Sequence, residues 1–142
     1  MNGGHSFQRS ARGEINRLPC VFATALNRRC AVCSLSRHEA DEVLCTQPLA
    51  RVACAGLHGL LREKARFALG MRQDPLSGPT SNQAELRLQC GGLRALRAAL
   101  DADTVAIDVS RLLEKLALTE TDALPWEQIL RTISAESGHR HV

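Results

Sequence analysis

Six cysteines in a chain of 142 residues define the chemistry available to this protein. Three lie in the run Cys20-x9-Cys30-x2-Cys33, and Cys45, Cys54 and Cys90 follow. Where thiols are kept reduced, such enrichment points to metal ligation or thiol chemistry more than to disulfides. Cys30-Ala31-Val32-Cys33 is the sharpest local motif. Two thiolates separated by two residues can close on one metal ion or cluster, or pair as a redox disulfide. The redox form belongs at a strand-to-helix junction of a βαβ unit, and the sequence offers no such strands.

A metal needs further donors, and the spacing selects them. Cys54 and His58 are four residues apart on a predicted helix, so they project from one face. A preceding helix from Ser36 would carry Cys45 about 13 Å from its start, away from the Cys30–Cys33 loop. The next helix would return antiparallel and bring Cys54 and His58 back. Two donor sets result. Cys20, Cys30, Cys33 and Cys54 give four thiolates, suited to an iron–sulfur cluster. Cys30, Cys33, Cys54 and His58 suit structural zinc. Cys45 and Cys90 read as small buried hydrophobes, although Gly91-Gly92 beside Cys90 implies a bend or a need for room.

The elements that would position these donors read as helices. Leu, Ala and Val carry the apolar mass, while aromatic residues make up only 3% of the chain. Ser36 and Glu39 form a capping box that predicts a helix to about Cys45. Pro48 suits the first turn of a second helix running to about Leu69. Asn82 and Glu85 predict a third, with Leu86, Cys90, Leu93, Leu96 and Leu100 on its buried side. Two more are expected over 109–118 and 125–136. The fold expected is all-α, a small bundle of about five helices with a cysteine-containing N-terminal loop region. Residues 17–136 should form one domain, 1–16 should be disordered and 137–142 should fray.

The charge is mild, a formal +3. With one Trp, no Tyr and three Phe there is little to stack on bases. The 125–136 helix carries only Arg131 as a base, so nucleic acid is not favoured as a partner. No apolar run spans a bilayer and the N-terminus has no signal-like stretch, so a cytoplasmic protein without a membrane partner is expected. No residue pattern sets a general base against a nucleophile, and no reaction is assigned. The function expected is a small cysteine-ligated metal protein, foremost iron–sulfur. It would act in redox sensing, electron transfer or as an accessory to a metalloenzyme. Another protein would be its partner, through basic residues such as Arg62 and Lys64 or the Trp126 helix. A zinc-stabilised interaction or transcription-associated module, and a metal-free helical adaptor with buried free cysteines, are the alternatives.

Overall fold

The computed structural model describes residues 18–66, 82–100 and 107–136. Its first third is not helical where a helix was expected. Three short strands, β1 (Leu18–Pro19), β2 (Ser36–Glu39) and β3 (Glu42–Cys45), form an antiparallel sheet in the order β1-β3-β2. The all-α expectation is therefore corrected to a mixed fold with a small sheet.

The correction has a local cause. Ser36 does not cap forward; its hydroxyl donates back to the Cys33 carbonyl at 2.8 Å. Ala40 takes a positive φ of 53°, the left-handed backbone that two-residue hairpin turns require, and Glu39 then pairs with Glu42. β1 completes the sheet by pairing Leu18 with Cys45 and Pro19 with Leu44. Val43 and Leu44, in the central strand, are both buried. Burial and cross-strand pairing thus outweigh the capping signal, whose energy is only about 1 kcal/mol.

Between β1 and β2 lies a five-residue helix, α1 (Ala23–Asn27). It ends in a Schellman motif. The amide of Cys30 donates to Ala25 O at 2.9 Å and that of Arg29 to Leu26 O at 3.1 Å, with Arg29 left-handed at φ 61°. Beyond the sheet come α2 (Pro48–Ala65), α3 (Asn82–Leu86), a π-helical stretch (Arg87–Gly91), α4 (Gly92–Ala99), α5 (Val109–Leu116) and α6 (Trp126–Ala135). The helices expected from Pro48, Asn82, Val109 and Pro125 are all present. The expected termini at 1–16 and 137–142, and the extension of the Pro48 helix to Leu69, fall outside the described residues.

Gly91 and Gly92 are explained by close approach. A Cβ on Gly91 would meet the Ile133 backbone Cα at 2.8 Å, and one on Gly92 would meet Leu61 Cδ1 at 2.9 Å. The two glycines let α6 and α2 press against the π-helical stretch, where Leu61, Leu88, Leu93 and Ile133 are fully buried. Arg94 pairs with the buried Glu136 at the end of α6. Lys64, near the end of α2, stands 5.3 Å over the Trp126 ring, whose indole N–H donates to Thr121 O at 2.8 Å. Among the described residues no helix is long and apolar enough to cross a membrane.

Candidate thiol site

The π-helical stretch holds the cysteine-bearing segment at two successive residues. Gln89 is buried; its Oε1 accepts from the amide of Ala25 at 2.9 Å and its Nε2 donates to Val21 O at 3.3 Å. Phe22, at the N-cap of α1, supplies no side-chain cap, and Gln89 satisfies one of the free amides of that first turn. Cys90 is disulfide-bonded to Cys30 across 60 residues, with Cα atoms 5.6 Å apart.

That bond divides the Cys30-x2-Cys33 motif. Val32 makes a parallel bridge to Asp108, with its amide donating to Ile107 O at 2.7 Å and its carbonyl accepting from Val109 at 2.9 Å. Side chains alternate on extended backbone, so residues three apart face opposite ways. Cys30 turns to the helical half, and Cys33 turns to the sheet.

Cys33 there meets three other free cysteines. Cys20 follows β1, Cys45 ends β3 and Cys54 projects from α2; with Cys33 they line one cavity of about 20 Å³. Such a volume admits at least a water-sized body. Leu35, Val109 and Leu113 close much of the rest. The four elements that converge are a strand end, an extended loop, a hairpin strand and a helix. Cys45 is present because the hairpin register sets it opposite both Ser36 and Leu18.

The electrostatics follow from this enclosure. Burial pushes the Cys54 thiol up to about 12, and Cys33, Cys20 and Cys45 add to the rise, against a smaller lowering by Arg51. Burial also raises Cys20; the Phe22 amide lowers it, while Cys33 and Cys45 raise it. Cys33 is raised by burial, lowered by the Leu35 amide, then raised by Asp108 and Cys45 and lowered by the Ser110 amide. Each of the four sulfurs is thus within electrostatic reach of others. The Phe22 and Leu35 amides each lie two residues beyond the cysteine they stabilise. Arg51, the cation nearby, donates its Nε–H to Pro19 O at 2.7 Å. As placed, no three Cys, His, Asp or Glu side chains among the described residues are close enough together to hold a single metal ion.

The expected donors therefore separate. Cys20, Cys33 and Cys54, three members of the expected iron–sulfur set, line the same cavity. Cys30 does not join them, being bonded to Cys90, and Cys45 takes its position in the ring. His58 does not turn to the thiols; its Nε2 lies 2.7 and 3.0 Å from the Glu85 carboxylate, and its ring edges onto Phe22. Sequence reasoning missed Cys45 because the capping box hid the hairpin. It missed Cys90 because an apolar helix face is the ordinary setting of a buried thiol, although the flanking glycines marked the position. No protein-family model, curated protein or solved structure matches this chain.

Proposed function

We propose that Cys20, Cys33, Cys45 and Cys54 bind an iron–sulfur cluster, and that the protein serves redox sensing, electron transfer or delivery to a larger metalloenzyme. The observation that carries this reading is the convergence of four free thiols from separate elements on one cavity. Four thiolates around one cavity would repel one another, and a cationic centre removes that penalty. A cluster and a single ion differ in the spacing they demand of four sulfurs. A zinc ion bonds sulfur at about 2.3 Å, which sets tetrahedral sulfurs about 3.8 Å apart. In a four-iron cluster each thiolate takes a different iron, so its sulfurs would stand farther apart than around one zinc. Amides aimed at Cys20 and Cys33 would stabilise their thiolates and tune a cluster's potential. The reading carries with it a compartment where ligand thiols stay reduced, such as the cytoplasm. It also implies a protein partner, for which the exposed Leu49 and Val52 on α2, flanking the cavity-lining Ala50 and Arg51, and Val32 beside Cys33 offer apolar surface.

The test is metal and acid-labile sulfide analysis of the full chain purified without air, with its visible absorption spectrum. Iron and sulfide should be present together, and Cys45→Ala should abolish both. Zinc alone, at one per chain, would transfer the site to the zinc-stabilised reading. Absence of both metals would leave a helical adaptor with free thiols.

A further inference from the structure

The Cys30–Cys90 bond is placed to do more than tie the halves together. Cys30 is three residues from Cys33 and partly exposed, whereas Cys90 is fully buried within the π-helical stretch. Single π-helical turns inside helices recur at functional positions. Here the turn presents Gln89 to α1 and Cys90 to the segment leaving it, so one element fixes both ends of the Val21–Cys30 stretch. From Cys30 the chain reaches Cys33 through Ala31, which is buried, and Val32, which is clamped to Ile107 and Val109.

We propose that Cys30–Cys90 is a redox couple that controls how firmly the Cys33 segment is held against the four-thiol cavity. The couple turns over with a small dithiol. One thiolate of that dithiol attacks the accessible Cys30 sulfur and expels Cys90, which takes a proton. The second thiolate then closes the reagent's own disulfide, and Cys30 leaves as a thiol. Two electrons and two protons pass to the protein, and the reagent departs oxidised. With the bond open, the Cys33 segment keeps its backbone bridge but loses its covalent anchor to the helical half. A ligand at Cys33 is then released more readily. The metal part of this proposal rests on the function proposed above, whereas the control of Cys33 does not.

Two measurements on the full chain test it. In metal-loaded protein, release of iron or zinc to excess chromogenic chelator is followed before and after treatment with a water-soluble trialkylphosphine, which opens the bond without offering thiols to the metal. Opening should speed release about 10-fold, the scale seen when support around a ligand is lost. The Cys30→Ser/Cys90→Ala double variant should release at the fast rate with or without phosphine. In metal-free protein, maleimide labelling of Cys33 read by mass spectrometry should rise by a similar factor in the double variant over the oxidised wild type. Equal labelling rates, or six free thiols in air-oxidised wild type, would overturn the proposal. A chain that loads no metal removes the proposed cluster, and the labelling arm then decides this proposal alone.

Discussion

Two regions of this molecule use cysteine in opposite ways. Around the π-helical stretch, Cys90 sits in a packed interior of Leu88, Leu93 and Ile133 and closes a covalent bond. Beneath the sheet, Cys20, Cys33, Cys45 and Cys54 stand free around a space that side chains do not fill. The first region packs closely because Gly91 admits the Ile133 backbone and Gly92 the Leu61 side chain. The second is held open by four elements that reach it from different directions. Cysteine type alone does not decide between these fates; the backbone around each one does. Cys30 and Cys33 are neighbours in the chain and end on opposite sides of that division.

The contrast can be broken most strongly at the bond itself. A crosslink spanning 60 residues removes on the order of 4 kcal/mol of chain entropy from the unfolded state. Cys90→Ala should lower stability by about that amount in urea unfolding under oxidising conditions, and the gap should narrow sharply when wild type is first reduced. Gly91→Ala acts on the packed region alone. Alanine gains roughly 1 kcal/mol in helix propensity, but its methyl would meet the Ile133 backbone, and overpacking of this kind costs about 1–3 kcal/mol. A net loss of about 1 kcal/mol is expected, with the free thiols of the cavity labelling as before.

The mildest perturbation sharpens the open region. In metal-free protein, folding holds Cys54 protonated up to about 12, against the ordinary thiol value of 9.0. Above pH 9 the unfolded chain ionises this thiol while the folded chain does not, so the folded state binds more protons and stability falls as pH rises. At pH 10 the loss is about 1 kcal/mol, and Cys54→Ala should remove it from the pH profile of urea unfolding. A bound metal reverses the slope of loading, since ligand protons must leave and affinity rises with pH.

Legibility in the sequence followed the range of the forces involved. The Pro48, Asn82, Val109 and Pro125 helices were readable, because caps, prolines and apolar periodicity act within a few residues. Gly91-Gly92 pointed to a bend or a need for room without naming Ile133 or Leu61. The hairpin was not readable. Ser36-Arg37-His38-Glu39 has no apolar alternation, and its Ser-x-x-Glu spacing matches a helix start. Only the long-range pairing of Leu18 with Cys45 completes the sheet. The same hairpin delivers Cys45 to the cavity, so one misread element carried a misread cysteine with it. The Cys30–Cys90 pairing, 60 residues apart, left no local trace beyond those glycines.

The Lys64 ammonium above Trp126 gives the chain an optical handle on these events. Trp126 is the sole tryptophan, and there is no tyrosine to contaminate its emission. Because Lys64 and Cys54 lie on the same helix, a tilt of that helix on adding metal to the thiols would alter the quenching at a single known indole. Fluorescence of the unlabelled protein would then report such a movement directly, beside the rates read by chelator and by labelling.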